Sequence, residues 1–73
     1  MNSRKPTPLD FTFYNAGSLA LATPRTEAAR DWLAAHCPAD EDHQYLGSAL
    51  AIEHRYVGNI LDLIDADGLT HDW

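Results

Sequence analysis

Residues 11–22, FTFYNAGSLALA, decide the fold. Phe11 and Phe13 alternate with polar neighbours, as they do on one side of a pleated strand. Asn15-Ala16-Gly17 follows as a turn signal, because Asn and Gly take positive φ at little cost. After it, Leu19 and Leu21 alternate with Ala20 and Ala22. Two short strands around a tight turn make a β-hairpin. Its phenylalanines and leucines are expected in the core, and its small alanine face to lie under a helix or against another chain.

Working outward, Thr23-Pro24 reads as an N-cap followed by proline at the first helical position, where a missing N–H costs nothing. Ala28, Ala29, Trp32, Leu33 and His36 recur at helical spacing, and Pro38 ends the run. The spacing predicts a helix over 24–36. Residues 39–44 are too polar and charged for anything but a loop. Residues 45–55 read as one central strand, with Leu46, Leu50 and Ile52 on one face and Gly47 marking a bulge or a close backbone approach. The crossover through the first helix would set that strand parallel to the one before it.

The last element is the most regular. Val57, Ile60, Leu61 and Ile64 stand at i, i+3, i+4 and i+7, the stripe of an amphipathic helix over 57–67. Gly68 is placed as the C′ residue of a Schellman cap, with Ile64 and Leu69 as the pair that closes it. Asp65 and Asp67 at that end oppose the helix dipole, so they either sit in solvent or face a basic partner. The predicted fold is α+β: residues 1–8 as a flexible lead-in, then residues 9–73 as one two-layer ββαβα domain. A three-stranded sheet, with room for a short fourth strand from the Thr70–Trp73 tail, is packed by two helices.

A chain of 73 residues buries only roughly 60% of its unfolded surface. The side chains able to form a core run from Leu9 to Ile64 without a spare layer, which favours a dimer that hides more apolar surface. The lone Cys37 excludes an intrachain disulfide, and MNSRKPTPLD has no apolar run of a secretory leader. No stretch is long enough to span a membrane, and a reducing, cytoplasmic setting is expected. The net charge is −6, and residues 31–73 carry nine acids against Arg55 alone. That balance repels a phosphate backbone, excluding direct nucleic-acid binding, and suits solubility or a basic protein partner.

Phe13-Tyr14-Asn15-Ala16-Gly17-Ser18-Leu19, Thr23-Pro24, Ala28-Ala29-Arg30-Asp31-Trp32-Leu33, Ala51-Ile52-Glu53-His54-Arg55-Tyr56 and Ala66-Asp67-Gly68-Leu69 together resemble a group of very short uncharacterised bacterial proteins, some phage- or plasmid-borne. The resemblance covers most of residues 11–69. It implies an accessory or mobile-element role and transfers no activity, cofactor or site residue.

Catalytic patterns are weak. His36, Cys37, His43 and His54 fit no zinc spacing and include one thiol. Asp65-Ala66-Asp67-Gly68 fails as a calcium loop, since its first ligand position falls on Leu63 and its twelfth beyond Trp73. Ser48 and His54 would be roughly 20 Å apart on an extended strand, too far for a triad. No catalytic residue, metal site or cofactor is expected, and an enzyme is not. The best local cluster is Glu53-His54-Arg55-Tyr56, polar side chains at a strand end just before a helix, with Arg55 pairing to Glu53 or Asp62. With Trp32 and Trp73 as aromatic anchors, these are the candidate interaction residues. The expected function is that of a small accessory protein acting by protein–protein contact as a homodimer, through an apolar face left by residues 9–22 or the Trp73 tail. The alternatives are an acidic decoy-type inhibitor of a nucleic-acid-binding enzyme, and a minimal enzyme or metal-binding protein.

Overall fold

The computed structural model describes residues 9–41 and 43–73, and the expected lead-in over 1–8 lies outside the described residues. The chain runs β1 (Phe11–Ala16), β2 (Leu19–Pro24), α1 (Glu27–His36), β3 (Gln44–Leu46), β4 (Ala49–Glu53) and α2 (His54–Ala66). The four strands form one sheet in the order β1-β2-β4-β3, with every neighbouring pair antiparallel. One apolar cluster joins Phe11, Ala20, Ala22, Leu50 and Ile52 of the sheet to Trp32 and Leu33 of α1 and Val57 and Ile64 of α2. Both helices therefore cover the same side, and the α+β two-layer architecture is the one the sequence predicts.

Several expectations change. The stretch over 45–55 is a second hairpin rather than one strand, because Gly47 sits at φ 63° and reverses the chain. Both hairpins use a two-residue Gly-Ser turn with positive φ at the glycine, the pattern of a type II′ turn. β4 consequently turns back between β2 and β3 and lies antiparallel to β2, not parallel to it. The fourth strand is β3, while the tail adds only a single parallel bridge between His71 and Phe11.

Another change concerns which face is inside. Ala16 pairs with Leu19, so Phe11 and Phe13 share a face with Pro24 and Ala22. A turn one residue longer would put the leucines beside the phenylalanines; the observed turn puts the alanines there. Ala20 and Ala22 are almost wholly buried, the alanine face lying under the helices as one of its two expected placements had it, whereas Leu19 and Leu21, expected in the core, point away from the helices and stay outside the core cluster. By the same parity Tyr45, not Leu46, shares the face of Leu50, and Leu46 is 61% exposed. Leu9 is also exposed.

α1 also starts later than predicted. Pro24 is the last residue of β2, and Thr26 is the N-cap, its hydroxyl accepting from the Ala29 N–H at 3.1 Å. The proline is tolerated at this strand end because its nitrogen faces the β4 side, where pairing stops at Ala22 and no ladder acceptor stands opposite. α2 starts at His54 with Glu53 as an N-cap whose side chain makes no capping bond. Its C-terminus follows the expected cap: Leu69 N–H donates to Ile64 C=O at 3.1 Å and Gly68 N–H to Asp65 C=O at 3.0 Å, with Gly68 at φ 79°. Within the stripe, Val57 and Ile64 are buried while Ile60 and Leu61 are half-buried.

Asp10 ties three segments together. Its carboxylate accepts from the Thr26 hydroxyl at 2.6 Å and the Thr70 N–H at 2.9 Å, while its backbone C=O accepts from Arg25 N–H at 2.7 Å. The tail then follows the outer edge of β1, where Phe11 N–H donates to Thr70 C=O and Phe13 N–H to the Asp72 carboxylate. That covers two outward donors of an edge strand. The Thr26 hydroxyl, then the Thr70 N–H, hold the Asp10 carboxyl below its ordinary value, against a smaller opposing effect of burial.

These contacts set two expectations for stability. A group with a lowered folded-state pKa stabilises above its unfolded value, near pH 4, and that contribution fades as pH falls through the folded value. Asp10→Asn should therefore weaken the protein near neutrality, and its urea midpoint should fall less than the wild type's between about pH 5 and about pH 3. The glycines at 58 and 68 should respond with opposite signs. Gly58 lies inside α2 with open space where a β-carbon would stand, so Gly58→Ala should stabilise by about 0.5–1 kcal/mol. Gly68 has the same open space but positive φ, so Gly68→Ala should cost about 1 kcal/mol from backbone strain alone.

Candidate functional site

The cluster Glu53-His54-Arg55-Tyr56 sits where β4 passes directly into α2. Arg55 Nε donates to Glu53 Oε1 at 3.0 Å, and the guanidinium lies 4.9 Å from the centre of the Tyr56 ring. Of the two acids considered for Arg55, the structure selects Glu53. Both partners are largely exposed, so the pair adds little stability. His54 turns the other way and reaches the first hairpin, with Nε2 2.7 Å from the Gly17 C=O. A carbonyl only accepts, so Nε2 is the donor.

Trp73 comes to the same end of the molecule. Its ring meets Phe13 edge-on at 5.5 Å and lies 6.4 Å from His54, yet it remains 49% exposed. Trp32 does not join it. It is only 6% exposed, packed edge-on against Phe11 and stacked on His36, which removes it from the interaction residues. Its indole N–H donates to Asp67 Oδ2 at 2.6 Å, and His36 Nε2 lies 3.3 Å from the same oxygen. The acid at the wrong end of α2's dipole is thus the acceptor that joins the two helices. Asp65 has a similar use, 2.9 Å from His71 Nε2.

A groove of about 280 Å³ opens beside Glu53 and Tyr56, floored by Leu50, Ile52 and Ile60 with His43 and Asn59 at its margin. A shallower depression of about 410 Å³ lies beyond the end of α1, next to Cys37, Tyr45 and Arg30. Neither gathers an acid–base pair with a nucleophile. Among the described residues, no three His, Cys, Asp or Glu side chains are placed to share a metal ion. His36 is committed to Asp67, His43 lies 3.2 Å from Asp40, and His54 is bonded to the first turn. Ser48 occupies the second hairpin turn, away from any such group. None of the helices in the described residues is long and apolar enough to cross a membrane.

Residues without a local sequence signal organise the interior. Tyr45 donates its hydroxyl to the Cys37 C=O at 2.6 Å, tying β3 to the end of α1. Burial, then Cys37 and Asp40, raise its pKa. The repeated Gly-Ser at 17–18 and 47–48 is the one sequence feature that points to the second hairpin, and hence to Tyr45 as an inward residue. Nothing local marks Asp10 or Asp67, whose partners lie 16 to 60 residues away.

No family model matches the chain, and the searches of curated proteins and of solved structures return no match.

Cys37 provides a direct check on chemistry at this end of α1. The residue is 3% exposed, and burial, assisted by Asp40, pushes the thiol's pKa up. A protonated, covered thiol is a poor nucleophile. In the native protein at about pH 8, Cys37 should react with a disulfide reagent at least about 100-fold more slowly than in urea.

Proposed function

We propose that this chain is a small accessory protein of the cytoplasm that works by protein–protein contact, as a homodimer, without turnover. The observation that carries the reading is the set of large apolar side chains the fold leaves in solvent. Tyr14 is 66% exposed, and Leu46, Leu63, Trp73 and Tyr56 are all about half exposed or more. Among the described residues of this 73-residue chain, the large side chains that are fully buried are Phe11, Leu50 and Ile64. With so small a core, the remaining apolar surface is available for association. The unpaired, buried Cys37 suits a reducing compartment. The resemblance to short bacterial proteins, some from phages and plasmids, agrees with an accessory role.

The surplus of acid does not favour a decoy for nucleic-acid enzymes. Asp10, Asp40, Asp65, Asp67 and Asp72 all take part in hydrogen bonds within the chain. An acceptor role inside the fold accounts for them without a basic partner. Glu53, His54, Arg55, Tyr56 and Trp73 remain the surface residues through which a second protein would be recognised.

Sedimentation equilibrium or multi-angle light scattering over about 5–500 µM tests the reading. A mass rising from 8.1 kDa toward twice that value is expected. A mass fixed at the monomer value throughout would remove it.

A further inference from the structure

We infer that two copies of this chain meet through the uncovered side of the sheet, sheet facing sheet, with both pairs of helices outside. The inference rests on the homodimer reading above and names the surface that forms it.

The sheet has two unlike sides. One is covered by α1 and α2, and the other carries the exposed Tyr14 and Leu46, the half-buried Leu19, Leu21 and Ala51, and the buried Ala49 at the floor of β4. The strand positions beside them on that side are Thr12, Ala16, Thr23 and Gln44, and Glu53 at one corner is the only acid among these strand positions. A chain of net charge −6 thus presents a nearly neutral, mostly apolar surface on one side. Charge selects the occupant. A basic partner would find almost no carboxylate there, whereas a second copy, repelled elsewhere by its like charge, meets little on this side, where the one acid, Glu53, is paired with Arg55.

The relief of the face also suits a copy of itself. Across one row the pairing runs Tyr14, Leu21, Ala51, Gln44, so two large residues on β1 and β2 stand beside small and polar ones on β4 and β3. A two-fold axis parallel to the strands, between β2 and β4, lays the leucine ridge of each copy over the alanine trough of the other. An isologous contact requires such self-complementarity. Packed sheets lie about 10 Å apart, which the leucines of both copies fill.

Area sets the strength. Four strands at about 4.8 Å spacing and about 17 Å long present roughly 300–400 Å² in plan, or about 500 Å² per copy once the side chains are counted. The total of about 1,000 Å² lies at the lower edge of specific interfaces, so the dimer should dissociate in the micromolar range.

Leu21→Glu and Leu46→Glu test the face, since neither side chain belongs to the core cluster. Sedimentation of wild type and both variants over about 5–500 µM is read beside circular dichroism and thermal melts. The expected result is a wild-type dimer and two folded variants whose dissociation constants rise about 30-fold or more, because each would bury an unpaired carboxylate. If the wild type dimerises and both folded variants dimerise equally well, this face is overturned while the homodimer stands on another surface. A monomeric wild type at the highest concentration removes both. Should Leu21→Glu fail to fold, Leu46→Glu, at a hairpin position 61% exposed, decides the matter alone.

Discussion

The structure depends on two alanines. Ala20 and Ala22 lie at the centre of the sheet's covered side with almost no surface exposed, and they are what lets two helices close over it. Larger residues there would lift α1 and α2 away from Phe11, Leu50 and Ile52, and close packing tolerates such gaps poorly. The two-residue turn at Gly17-Ser18 enforces the choice, since it fixes which residues of β2 share a side with the phenylalanines. The same parity places Leu19 and Leu21 on the opposite side. Core and open face are two outcomes of a single register.

Around that register, carboxylates serve as joints. Asp10 holds the start of β1 to the cap of α1 and to the tail. Asp67 receives the Trp32 indole and so links the end of α2 to the middle of α1. Asp72 covers a backbone donor on the outer edge of β1. A small domain has few apolar residues to spare for its periphery, and charge-assisted hydrogen bonds give direction that apolar contacts lack. α2 illustrates the balance. It begins without a side-chain cap and ends among aspartates, both contrary to helix preference, yet its stripe, its glycine cap and the Trp32 bond hold it. Acidity in this chain is part of its architecture before it is a message to a partner.

The proposed function follows from the division of surfaces. His36, His43 and His54 are held by separate partners, and the lone thiol is covered. What faces outward is an aromatic and polar corner, Glu53 to Tyr56 with Trp73, and a neutral sheet face. The two adjoin at Glu53, which ends the sheet face and begins the cluster. A dimer built on the sheet face would leave α2 outermost, with the tail at the edge of the sheet layer.

Sequence alone determined the parts that local chemistry controls. The apolar stripe of α2, the positive φ of Gly68 with its Ile64–Leu69 closure, the first hairpin and the two-layer α+β class were legible in residue spacing, because each depends on neighbours within a few positions. The Glu53–Arg55 pair was legible for the same reason. Tertiary structure decided the rest. One residue of turn length inverted the faces of β2, and a second Gly-Ser turn divided 45–55 into two strands and reversed β4. Pro24 could end β2 because the ladder to β4 stops at Ala22, and Trp32 went inside where Asp67 receives its N–H. Periodicity shows that two faces differ. Which face is buried depends on what the remote parts of the chain lay against it.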